Sequence, residues 1–348
     1  MASVRASSSA KAGSSGFLER GRMFLEFQIL AAVHAVQKIY YPIMAAVGIP
    51  VNLLTIKILC QGTCGLSKCV TRYLVAMAAA DLLVVITDLI LRQIPIAHQI
   101  RIVRSIPVCN IHAVLLYAAT DCSVWFTVSF TFDRFVAICC HKLKTKYCTE
   151  KTAAVILGTV TVLNCLNNIF WYFMYQPWYT MYNNPWFCYV SVLVKISGLW
   201  TAIELLHYIL TPCVPFVLIL LLNAFTVRYI LVASRARRRL RGHDSGESTR
   251  DREMVSRRKS IILLFVISGN FILLWALFMM CSIAQRIWYL GYMSFQPALF
   301  VLEIGFMLQL LSCCTNTCIY AVTQTKFREQ LKNVVKYPVT LIVKFIKC

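Results

Sequence analysis

Along the chain, apolar residues collect in long runs separated by polar segments. Seven runs are about 20 residues or longer, at roughly 39–60, 73–92, 109–140, 153–175, 203–232, 260–284 and 299–323. A helix needs about 20 residues to cross about 30 Å of hydrocarbon, so each run predicts a membrane-spanning helix. Barrel strands would alternate apolar and polar positions over about ten residues, and these runs do not. Only helices and closed barrels satisfy the backbone in lipid. The pattern therefore predicts an all-α membrane protein, a seven-transmembrane helix bundle. Residues 17–38 are marginally amphipathic, and a helical extension of the first run and a loop are both compatible with them.

Composition supports a membrane protein. Of the 348 residues, 59% are hydrophobic and 14% charged, and the mean hydropathy is +0.68, against about 45–50% apolar in an average soluble domain. The net charge of +21 raises the question of nucleic acid, but its placement answers it. With the amino terminus outside, 25 of the 35 Lys and Arg fall on the cytoplasmic side and 10 on the other. That asymmetry is the positive-inside rule, and it points to the bilayer and away from nucleic acid. The densest basic block, residues 228–259, also holds Asp244, Glu247, Asp251 and Glu253. It reads both as a solvated loop beside anionic lipid and as a partner-binding surface.

Residues 1–38 show no clean apolar stretch followed by a small-residue cleavage site, so no signal peptide is expected. There is no Asn-x-Ser/Thr acceptor, and no internal repeat of the kind found in many transporters. The expected organisation is an extracellular segment 1–38, a membrane domain 39–323 with a basic third cytoplasmic loop at about 233–259, and a short tail 324–348.

Most of the 16 cysteines sit in apolar runs, where a thiol behaves as a small hydrophobe. Cys109, at the outer start of the third run, and Cys188, in the aromatic segment between runs four and five, both face an oxidising compartment in this topology. A disulfide between them is expected. Cys60, Cys64 and Cys69 cluster in the first inner loop, but without a nearby His they make a poor zinc set.

Polar residues inside the runs carry the functional signal. Asn52, Asp81, Asp133 with Arg134, Trp275, and Asn316 with Tyr320 are spread over five runs. Such groups are costly in lipid and point to a shared interior. Together they resemble the rhodopsin-like G-protein-coupled receptors over residues 40 to 333. Asn52 matches the family's first-span Asn, Asp81 its second-span Asp, and Asp133-Arg134-Phe135 its Asp-Arg-Tyr motif. Cys109 lies 25 residues before Arg134, and Phe327 follows Tyr320 by seven, the spacing of an amphipathic eighth helix. Pro215, Val124 and Phe271 stand at transmission positions around Trp275. The segments PVNLLTI and LVAMAAADLLV, a fourth run without its usual Trp, and an Asn-x-x-x-Tyr motif without proline are similar to a subgroup of orphan receptors. Leu116 and Phe278 depart from it, replacing an acidic and a basic residue.

The resemblance implies that Asp133 holds Arg134 in the resting state and releases it toward a heterotrimeric G protein. Gq/11 is the class the family suggests, and arrestin is a further partner. It also implies no cofactor beyond an allosteric sodium ion, at Asp81, Ser123, Ser312 and Asn316, an oxygen set suited to a hard cation. Asp81 as a protonated, hydrogen-bonded carboxyl is the alternative. At the inner end of the sixth run Arg257 replaces an acidic residue, and Asn223 replaces a fifth-run Tyr. The first change weakens the resting state and the second opposes that effect, so ligand-free signalling is expected.

For an extracellular ligand, the outer halves of the runs offer Asp88, Asp121, Glu204 and Glu303, with His112, His207, Tyr117 and Gln309 beside Leu116 and Phe278. Arg92, four residues after Asp88, neutralises it on one helix face. The remaining three acids favour a positively charged ligand, an amine or a basic peptide. No hydrolase or metalloprotease motif is present, so an enzyme is not expected. The competing class is a transporter or channel with a polar interior.

Overall fold

The computed structural model describes residues 2–100, 106–174, 197–240, 249–294, 296–334 and 336. Among them no strand occurs, and seven helical stretches are long and apolar enough to cross a membrane. In chain order these spans are Met23–Cys60, Lys68–His98, Pro107–Cys139, Glu150–Phe173, Gly198–Arg235, Arg258–Tyr289 and Leu299–Thr323. An eighth helix covers residues 325–334, and its Phe327, fully buried, sets its ring against Tyr320 at 5.8 Å. That contact seats an amphipathic helix on the end of the seventh span.

The first helix runs without a break from Ala2 to Cys60, which settles residues 17–38 as helix. Apolar periodicity was weak there because that face meets little protein: Met23, Phe24, Leu25 and Phe27 are all exposed. The second span begins on an N-cap, Ser67, whose hydroxyl accepts from Val70 N. It then widens into a π-helix at Val85–Gln93. The fifth span breaks at Thr211, whose φ of −145° and ψ of 109° are not helical. Pro212 forms this kink, while Pro215 lies in the first turn of the helix that restarts at Val214, where a proline costs no hydrogen bond.

Packing draws the polar residues inward. Asn52, 1% exposed, donates to the carbonyls of Gly48 and Cys313, both at 2.9 Å, and Thr55 meets Thr317 at 2.8 Å. These bonds join the first and seventh spans. In lipid there is little hydrophobic drive between helices, so small residues and such bonds, averaging about 0.6 kcal/mol each, set the approach. Gly48 and Gly305 are where backbones come nearest: a Cβ on Gly305 would lie 2.8 Å from Phe278 N, and one on Gly48 2.9 Å from Cys314 Sγ.

Candidate functional site

Three linked regions occupy the bundle axis. At the end that carries Cys109 a cavity of about 540 Å³ opens between the first, second, third, fifth, sixth and seventh spans. Of the residues singled out from sequence, Leu116, Tyr117, Asp121, His207, Phe278, Glu303 and Gln309 line it. His112 and Glu204 do not. His112 turns to the second span, its Nε2 2.6 Å from Thr87 O. Glu204 is tied up by Arg286, whose Nη1 lies 2.9 Å from its carboxylate.

That pairing corrects the reading of three uncompensated acids. Arg286 lines the cavity and sits over the rings of Tyr208 and Tyr289 at 5.7 and 5.8 Å. Asp88 accepts from Arg92 at 3.3 Å and Gln93 at 3.1 Å, and Glu303 accepts from Gln37 at 2.7 Å. Asp121 differs. Its Oδ2 accepts from Asn168 at 2.7 Å, but Oδ1 has no hydrogen-bond partner and lies 3.9 Å from His207 Nε2. Tyr117 stacks on fully buried Trp171 at 3.9 Å and 11°, and His207 meets both rings edge-on at 5.5 and 5.3 Å. An apolar, aromatic wall thus surrounds one deep carboxylate. Arg286 was legible as a lone charge eleven residues beyond Trp275. Gln37 and Trp171 carried no signal, because which helix faces meet is not a local property.

The cavity floor is Trp275. Its ring packs on Phe271 at 5.4 Å, in one buried cluster with Val124, Val128 and Ile219, so Val124, Phe271 and Trp275 converge. Pro215 is buried in the fifth span. Beside this cluster, Asp81, 1% exposed, accepts from Ser123 at 2.5 Å and from Asn316 at 2.7 Å. Ser312 does not join them: its hydroxyl accepts from Trp275 Nε1 at 3.1 Å and donates to Gln309 O at 2.6 Å. Three of the four residues expected at the sodium site therefore meet, with the Ser123 hydroxyl and the Asn316 amide both donating to the Asp81 carboxylate, and the fourth belongs to the tryptophan.

At the opposite end, Asp133, fully buried, pairs with the Nε (3.0 Å) and Nη2 of Arg134. The Cys69 thiol adds a 3.1 Å bond to Asp133. Arg134 Nη1 reaches the sixth span at Ser260, 3.3 Å away. That contact is to a neutral hydroxyl, and the Arg257 side chain, on which the expected repulsion rests, lies outside the described residues. Phe135 is half-buried, 6.4 Å from the Phe132 ring. Tyr320 is buried with its hydroxyl unbonded, as is Asn223 Oδ1. Cys109 is disulfide-bonded and fully buried. Cys188 lies outside the described residues.

A seven-helix membrane bundle with a ligand-sized cavity above a tryptophan floor and an Asp-Arg pair at its far end defines a multi-pass receptor. Residues 51–320 match the family 7 transmembrane receptor (rhodopsin family), and the chain belongs to it. It is accordingly a G-protein-coupled receptor, with a ligand and a G protein as the partners general to that family.

Proposed function

We propose that the chain is a plasma-membrane receptor, amino terminus outside, that takes an amine-bearing small molecule or the basic end of a peptide into the Cys109-end cavity. Binding is relayed to a heterotrimeric G protein at the Arg134 end, with Gq/11 the first class to test and arrestin a second partner of the same face. Within the family its motifs are similar to those of the orphan subgroup of probable G-protein coupled receptor 139 and relatives. Leu116 and Phe278, both cavity walls, replace that subgroup's charged positions.

The observation that carries this reading is the double role of Trp275. It closes the cavity on one side, packs on Phe271 on the other, and donates to Ser312 beside the Asp81 network. A ligand that pushes on this ring therefore moves the sixth span, and a sodium ion held by Asp81, Ser123 and Asn316 opposes the movement. Asp121 is the anchor for the cationic group. A charge-assisted hydrogen bond is worth about 1.5–3 kcal/mol, so Asp121→Asn should weaken amine agonists by about tenfold to a hundredfold. The test is a screen of amines and short peptides with G-protein dissociation sensors. Hits that Asp121→Asn leaves unchanged would move the anchor elsewhere, and solute flux in proteoliposomes without nucleotide exchange would replace the receptor reading altogether.

The Cys109 partner is assigned to Cys188. Loss of such a loop-to-helix tie costs about 2–5 kcal/mol, so Cys109→Ser should cut surface expression several-fold. Peptide mapping that finds Cys188 as a free thiol in native protein would refute the pairing.

A further inference from the structure

The Arg134 end contains a second cavity, about 830 Å³, whose charged lining is of one sign. Arg134 lies buried in its wall, and Lys144, Lys259 and Lys326 are exposed around it. Among the described residues, no Asp or Glu side chain lines it. Asp133 offsets the charge of Arg134 through its Nε and Nη2, so the uncompensated lining charges are the three lysines. The three lysines come from the short helix His141–Tyr147, the sixth span and the eighth helix. Like charges converging on one concave surface repel one another and focus a positive potential in the space between them.

The polar lining has the same preference. Ser67, Thr145, Ser260 and Thr325 bring hydroxyls to the wall. Two helices also begin there: the second span after its cap at Ser67, and the eighth helix at residue 325. Helix starts present unpaired N–H groups and a partial positive charge, which favour anions. Gly65 brings its backbone against Lys326: a Cβ there would lie 3.2 Å from the Lys326 Nζ. With φ at +68°, Gly65 adopts a conformation open chiefly to glycine. The turn thus holds the lysine at the cavity.

We propose that this cavity binds a small polyphosphorylated anion, either a phosphoinositide headgroup or a free inositol polyphosphate. Its volume is that of a small-molecule site, and lysines suit phosphate as point charges. A bound polyphosphate bridges Lys144, Lys259 and Lys326, and so ties the third-span end, the sixth span and the eighth helix together in the arrangement seen here. The placement on the cytoplasmic side rests on the orientation proposed above. The binding chemistry does not.

The test is direct binding to the purified full-length receptor. In detergent, where both faces are open, inositol hexakisphosphate is titrated. In nanodiscs, discs with and without phosphatidylinositol bisphosphate are compared for lipid retained on the protein. The variant Lys144→Gln, Lys259→Gln, Lys326→Gln should lose about tenfold or more in affinity. An equal charge loss outside the cavity, Lys142→Gln, Lys146→Gln, Lys151→Gln, should change it by less than about twofold. Specific loss in the detergent arm identifies the free anion as a ligand, and specific loss in the nanodisc arm alone identifies the lipid headgroup. No binding in either arm, or equal weakening by both triple variants, would overturn the proposal. Neither arm depends on G-protein coupling, so a failed receptor reading leaves this result interpretable.

Discussion

Replacing Arg134 by Ala is expected to bring ligand-stimulated nucleotide exchange down to that of membranes without receptor. Arg134 is 8% exposed, its guanidinium held twice by Asp133 and once by Ser260 of the sixth span. It is therefore the group that reports whether the third and sixth spans are together. Moving the sixth span away breaks the single neutral bond to Ser260 while the Asp133 pair survives, so release of the span is inexpensive. Removing Arg134 also leaves Asp133 buried with only a weak thiol donor, and breaking a buried pair from one side costs about 3–5 kcal/mol. Surface expression should fall as well. Exchange must be scored per receptor at the surface, with Arg134→Lys as the partner variant that keeps a cation on Asp133 but loses the forked contact. Wild-type exchange per surface receptor in Arg134→Ala would remove this residue from the coupling role.

Gly305→Leu should abolish the folded bundle. The nearest atoms to a Cβ at Gly305 are backbone atoms of the sixth span, Phe278 N at 2.8 Å and Phe278 Cα at 2.9 Å, and backbone cannot rotate aside as a side chain can. Even one added methyl group in a filled site costs about 1–3 kcal/mol, and a Leu forces the sixth and seventh spans apart at Phe278, a wall of the Cys109-end cavity. Gly269, on the same sixth span, has nothing within 4 Å of its ideal Cβ, so Gly269→Leu is the matched control. Thermal unfolding of the purified protein should drop steeply for the first variant and by little for the second. Similar stability for both would contradict the close approach of these helices.

The relation between sequence and site is uneven, and particular residues show why. The Asp133-Arg134 pair, Asp81, Asn316 and Trp275 were legible because polar or aromatic groups in an apolar run must be held by something, whereas Ser123, Val124 and Phe271 were legible only through the family resemblance. Their partners were less so. Ser312 was expected beside Asp81 and instead serves Trp275, since a hydroxyl goes to whichever donor and acceptor its rotamer reaches. Glu204 looked available, and Arg286, 82 residues away in sequence, pairs with it. The fifth span carries both Pro212 and Pro215, and Pro212 makes its kink. Proline in a first turn is compatible with a helix, so spacing alone does not say which of two prolines bends the chain.

The sequence by itself determined the number of spans, their helical nature and the residues that cannot face lipid. Each of these follows from the cost of putting polar groups in hydrocarbon, and that cost is local, paid by each run whatever its neighbours do. Only the tertiary structure decided that Arg286 neutralises Glu204, that Tyr117 stacks on Trp171 beside Asp121, that Gly305 lies against the sixth-span backbone, and that three lysines from separate elements meet around Arg134. These depend on the rotation and approach of whole helices. Between apolar surfaces in lipid, many rotations bury similar area, and the choice among them is made by packing of small residues and by hydrogen bonds between distant positions.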